Sequence, residues 1–181
     1  TDPELSPERC KIHLAGWNGA EDPLDVFLSG EFDEWQSWQS RRNFERPSVI
    51  ALIRMPGRDQ WLFAGAYDVL GCEWIEAREL NKYQLVRRIQ LSELEGRLIL
   101  CFRRPGRQSY LLAENCEAHI QVSELRAEPL RIEAFPGYSS TLLTKAQLDV
   151  VVRQEIESWK SALANVAGVY VIADRHAGRL Y

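Results

Sequence analysis

The chain is short of methionine, histidine and unbroken apolar stretches, and each shortage removes a class of function. No apolar run approaches the roughly 20 residues of a membrane-spanning helix, so no membrane partner is expected. His13, His119 and His176 stand far apart and complete no zinc spacing. Cys10, Cys72, Cys101 and Cys116 include no CxxC pair, which points to reduced structural thiols and a cytoplasmic location. No phosphate loop, dinucleotide fingerprint or Ser/His/Asp order is present. No signal peptide is visible. The net charge of −4 lacks the basic excess of many nucleic-acid binders, so the distribution of charge matters more than its sum.

Against these shortages stand six tryptophans and a clustering of arginine. Arg41, Arg42 and Arg46 form one group, Arg54 and Arg58 a second, and Arg103, Arg104 and Arg107 a third. Such groups are either solvated loops or a basic face that holds phosphate, for which the guanidinium offers a rigid fork of donors.

The pattern is α+β. A tail over 1–10 precedes a first strand at Lys11–Ala15. Asp22 and Pro23 open a short helix as cap and first residue, and Phe32, Trp35 and Trp38 share a face of the next helical turns. Asp22 and Asp25 read as a helix cap and its neighbour rather than a metal pair. Strands are expected at 49–54, 60–69, 82–90, 97–102, 108–113 and 119–124. Two Arg-x-Pro-Gly-Arg turns, at Arg54–Arg58 and Arg103–Arg107, each read as the tip of a hairpin, and tips on one side of a barrel would make one patch. Short strands with helices inserted after the first suggest a small closed or half-closed barrel over 11–128. In architecture this is similar to the PUA-like group, including EVE, YTH and ASCH modules, and that similarity implies reading of RNA or modified bases. A linker from 129 leads to a Thr144–Gln147 capping box and one connector helix to about Asn165, with Leu148, Val152, Ile156, Trp159 and Leu163 on one face.

One aromatic constellation can hold a flat ligand. On the strand from Gln60, period two puts Trp61, Phe63, Gly65 and Tyr67 on one face, and Gly65 leaves a gap between rings. Trp35, Trp38 and Phe44 can line the other wall, with Asn43, Gln36 or Gln39 on a base edge. The plainer reading of these aromatics is barrel core. His13 is a base contact or, better, a satisfied structural histidine.

The residues Gly168-Val-Tyr-Val-Ile-Ala-Asp-Arg-His-Ala-Gly-Arg-Leu-Tyr181 read as a hairpin with its turn at Asp174–Gly178. They resemble the opening half of a GIY-YIG nuclease domain: Gly168-Val-Tyr170 matches the first tripeptide, and Tyr181 falls where the second begins. Upstream, Phe32-Asp-Glu-Trp-Gln-Ser-Trp-Gln, Asn43-Phe44, Trp61-Leu-Phe-Ala-Gly and Phe135-Pro-Gly-Tyr resemble the N-terminal region of bacterial GIY-YIG nuclease family proteins. The resemblance implies phosphodiester hydrolysis with a divalent ion, Mg or Mn, in the intact protein. Tyr170 and Tyr181 match the motif tyrosines as catalytic candidates, or form a packed cross-strand pair. The family's helix Arg and metal-binding Glu have no counterpart here, so a longer parent is expected and this chain alone is expected to cut nothing and hold no metal. The expected partner is DNA, with RNA as the alternative. A stand-alone nucleic-acid-binding module and a protein-interaction domain are the rival readings.

Overall fold

The computed structural model describes residues 5–56, 58–132, 134–164, 166–167, 173–174 and 179–180. The chain forms two compact units, Thr1–Ile132 and Glu133–Tyr181.

The first unit is α+β, built on a curled half-barrel sheet. Its elements in chain order are β1 (Cys10–Ala15), α1 (Pro23–Leu28), α2 (Phe32–Ser37), β2 (Trp38–Gln39), β3 (Ser48–Arg54), β4 (Gln60–Ile75), β5 (Leu80–Arg87), β6 (Leu98–Cys101), β7 (Tyr110–Leu112) and β8 (Gln121–Leu125). The main order is β2-β5-β4-β3-β1-β7, with β6 attached to β4 and β8 to β6. β1 and β3 run parallel, from Cys10 beside Ser48 to Ala15 beside Ile53. A parallel pair needs a crossover, and α1 and α2 supply it. Asp22 caps α1 by accepting from Leu24 N at 2.9 Å, with Pro23 at its first position.

Both faces of the central strands are covered. One packs Ile12, Leu14, Leu52, Trp61, Phe63, Phe102 and Leu111. The other packs Ala51, Ile53, Leu62, Ala64 and Tyr67 against Val26 of α1 and Phe32 of α2. Two-sided burial explains why β1 and β3 read as nearly continuous apolar runs.

The strands begin close to where the alternation places them, and the differences have local causes. β4 runs on to Ile75, pairing β5 beyond the reach of β3. The second Arg-x-Pro-Gly-Arg turn does not join a hairpin: β6 pairs with β4 and β8, and β7 pairs with β1, so this turn crosses between distant strands. The face expected to carry Trp61, Phe63, Gly65 and Tyr67 is split. Ala51 pairs with Gly65 but Leu52 pairs with Phe63, so Ala64 is an extra, bulged residue. The bulge reverses the alternation. Trp61 and Phe63 enter one core and Tyr67 the other.

In the second unit, Thr144 and Gln147 form the expected capping box of α3 (Lys145–Arg153). The connector is not one helix. Glu155 takes φ +48°, the amides of Glu155 and Ile156 bond back to Val152 O and Val151 O at 3.3 Å each, and α4 (Glu157–Leu163) starts anew. That is a Schellman end with Glu in the position glycine normally fills. The break changes the buried face: Val150, Val151 and Trp159 are buried, while Leu148, Val152 and Leu163 are exposed. Trp159 packs edge-on against Phe135 at 5.0 Å. At the end of the chain, β9 (Ala173–Asp174) and β10 (Arg179–Leu180) pair antiparallel, so Asp174 belongs to the ladder rather than the turn.

The gap expected at Gly65 is filled by the Tyr67 ring. A Cβ on Gly65 would lie 2.8 Å from Tyr67 Oη and 3.0 Å from its Cζ, and Gly65 sits at φ +147°. Tyr67 cannot swing away, because it is buried and donates to Asp33 Oδ1 at 2.6 Å. Backbone strain and the clash together make Gly65→Ala cost about 3 kcal/mol in a denaturant titration. An unchanged midpoint would contradict this packing.

Candidate nucleic-acid interface

The two arginine turns lie side by side. Gln60, which opens β4, pairs with Cys101, which closes β6. Phe102 N then donates to Asp59 O at 3.0 Å, so the second turn leaves the sheet beside the first. Gly106 takes φ +65°, as a reversal there requires. Arg104 folds back on its own turn, with Nε donating to Gln108 O at 2.8 Å and Nη2 to Arg107 O. Its guanidinium pKa is lowered, first by partial burial and then by the positive charge of Arg54. Arg54, of the first turn, thus lies close enough to Arg104, of the second, to be felt by its charge. Arg54, Arg58, Arg103 and Arg107 are exposed around it. The Arg58 side chain is 96% exposed, with only Asp59 at 3.8 Å. The five arginines of the two turns, with Asp59 beside Arg58, form a local positive field.

The third arginine group stands elsewhere. Arg41 and Arg42 are exposed in the loop that enters β3 at its opposite end, roughly 20 Å away at about 3.3 Å per residue. Arg46 is engaged, with Nη2 donating to Glu114 Oε1 at 2.8 Å and Nη1 to Glu8 O.

The aromatic wall expected at Trp61, Phe63 and Tyr67 is core, because the bulge at Ala64 sends these rings to opposite faces. Trp61 stacks on Phe102 and donates to Phe102 O at 3.1 Å. Trp38 does not share a face with Phe32 and Trp35, since α2 ends before it. Its ring carries the Arg78 guanidinium at 4.3 Å and Lys82 Nζ at 4.4 Å, and its indole N–H donates to Glu34 at 2.8 Å. Two cations on its ring leave Trp38 poorly placed to stack a base.

Other residues expected near a base do come together, around His13. Its ring lies nearly parallel to Tyr110 (5.1 Å, 8°) and to Trp35 (6.2 Å, 14°), with Phe44 tilted at 5.5 Å. His13 Nδ1 lies 3.3 Å from Gln36 Oε1, which puts the ring proton on Nδ1. Gln39 donates to Gln36 O at 2.7 Å and accepts from Asn43 Nδ2 at 3.1 Å and from the Tyr110 hydroxyl. Tyr110 is the member that sequence patterning missed; its only signal was an aromatic in a strand with no assigned partner. His13, Gln36 and Gln39 are buried, so the cluster fixes α2 to the sheet rather than opening to a ligand.

Tyr170 and Tyr181 lie outside the described residues. Among the described residues no group of His, Cys, Asp and Glu side chains gathers as a metal site. No family model matches the chain, and neither a curated protein nor a solved structure does.

Burial holds His13 well below the usual histidine range, at about 4, although its bond to Gln36 opposes the shift. The unfolded chain, with a histidine near 6.5, takes up the proton first. Stability is therefore full above pH 6.5 and falls as pH drops toward 4, by up to about 3 kcal/mol from this group. His13→Phe keeps the ring stack and removes the proton. Melting temperatures between pH 7 and 5 are expected to fall for the parent and to flatten for the variant; equal slopes would show that His13 is not held neutral.

Proposed function

We propose that the first unit binds nucleic acid through the paired arginine turns, and that the protein is the DNA-recognition part of a GIY-YIG endonuclease. The observation that carries the binding proposal is the convergence of Arg54, Arg58, Arg103 and Arg107 at the adjoining ends of β3, β4 and β6. Paired strand ends at the base of both turns set where these residues emerge, which lowers the cost of ordering them on a phosphate backbone. Arg104 serves mainly as frame, because its Nε and Nη2 donors bond within its own turn. The nuclease assignment, with its Mg or Mn ion, rests on the resemblance of Gly168–Tyr181 and of the upstream segments named above, and on nothing else. No helix among the described residues is long and apolar enough to cross a membrane. We place the protein in the cytoplasm, where its cysteines stay as thiols.

Each phosphate neutralised by an arginine releases counterions and adds about 0.9 to the slope of log affinity against log salt on duplex DNA. Replacing Arg54, Arg58, Arg103 and Arg107 with Ala is expected to reduce that slope by up to about 3.6 and leave the melting temperature unchanged. An RNA duplex in parallel separates DNA from RNA preference. A slope unmoved by the four substitutions would return these arginines to a solubility role.

A further inference from the structure

Two of the six tryptophans stand about half exposed, Trp17 at 54% and Trp74 at 50%. The others are occupied. Trp61 and Trp159 are buried, Trp35 packs against the core beside Phe32, and Trp38 is covered by Arg78 and Lys82. Trp74 lies toward the far end of β4, opposite Asn81 of β5. Trp17 lies where the arginines are.

The sheet order β4-β3-β1-β7 fixes its place. β1 runs parallel to β3 and its last residue, Ala15, sits beside Ile53, so the chain leaves β1 next to Arg54. On the other side of β1, His13 pairs with Tyr110 of β7 and Leu14 N donates to Ser109 O at 2.7 Å, so the same exit lies next to the Arg103–Arg107 turn. Gly16 and Trp17 therefore leave the sheet between the two arginine turns. The loop beyond them is held in shape. Asn18 Oδ1 accepts from Ala20 N and from Glu21 N, each at 2.8 Å, and Gly19 takes φ +101°. Such a side-chain turn fixes the backbone just past Trp17. The space beside the loop is open, since a Cβ on Gly16 would meet no atom within 4 Å. The loop's own acids stand beyond the turn, Glu21 exposed and Asp22 engaged on Leu24 N.

Arginine that holds phosphate carries no information about the bases. An accessible indole between the arginines does. A base inside a duplex has its faces covered by its neighbours, whereas an unpaired base offers a π-face on which an aromatic side chain stacks. We infer, building on the proposed binding by the arginine turns, that Trp17 stacks an unpaired base while the arginines on either side hold the phosphates of the same strand. A closed duplex meets the arginines alone. A strand with an unpaired base meets the arginines and Trp17, and binds more tightly for it.

Fluorescence anisotropy at low salt compares three labelled probes of equal length: an oligothymidylate, a strand of abasic residues with the same phosphates, and a blunt duplex. One stacked base strengthens binding roughly 5- to 150-fold. Trp17→Ala is expected to weaken oligothymidylate binding by a factor in that range and to leave the abasic strand, the duplex and the salt slope unchanged. Trp17→Phe keeps a smaller ring and is expected to recover part of the loss, which a merely disturbed loop would not allow. Trp74→Ala is expected to behave as the parent. Oligothymidylate binding unmoved by Trp17→Ala, or an equal loss on all three probes, overturns the stacking. The variant lacking Arg54, Arg58, Arg103 and Arg107 separates that failure from failure of the arginine turns. If its salt slope falls while Trp17→Ala changes nothing, the turns bind nucleic acid without Trp17. If its slope is unmoved while Trp17→Ala loses oligothymidylate alone, the stacking stands and the turns do not. Binding to none of the probes overturns both.

Discussion

Strand β4 is the element on which the rest of the first unit depends. It pairs with β3 along one edge and with β6 and then β5 along the other. One straight strand could not serve all of these partners in a curled sheet. Two bulges, at Ala64 and Leu70, let it bend. The first requires Gly65 at positive φ and lays the Tyr67 ring over that glycine. Tyr67 then fixes α2 through Asp33, which also accepts from Arg87 Nε at 3.0 Å. Arg87 in turn pairs with Glu95, whose pKa burial raises despite the cation beside it. A single bulge thus couples sheet curvature to helix docking and to a half-buried ionic network.

The same strand builds the candidate surface. Its first residues, Gln60–Leu62, hold β3 and β6 together and so place the two arginine turns side by side. On the far side of β3, β1 delivers the Trp17 loop to the same end of the sheet.

Much of this was legible in the sequence, and the failures are instructive. Asp22-Pro23 and Thr144-x-x-Gln147 acted locally, and both formed the expected helix starts. Strands with apolar residues on both faces were found near their places because burial on either side leaves little choice. The bulge at Ala64 was not legible. Ala64-Gly65-Ala66 keeps a plausible alternation, and only the pairing with β3 reveals the extra residue. Glu155 likewise carries no signal of a left-handed helix end, where glycine would have announced the break. The Arg-x-Pro-Gly-Arg similarity did mark two turns that meet, although one joins a hairpin and the other crosses between sheet edges. Tyr110 was missed because its contacts with His13 and Gln39 come from residues far away in sequence.

The central claim is that the arginine turns are the surface that meets nucleic acid. The most direct test is backbone amide hydrogen exchange of the protein with and without a duplex DNA oligonucleotide at low salt. The account predicts slowed exchange over 54–60 and 102–109 together, while β8 and the α3–α4 segment stay unchanged. Binding that protects β8 or α3–α4 and leaves both turns untouched would contradict it.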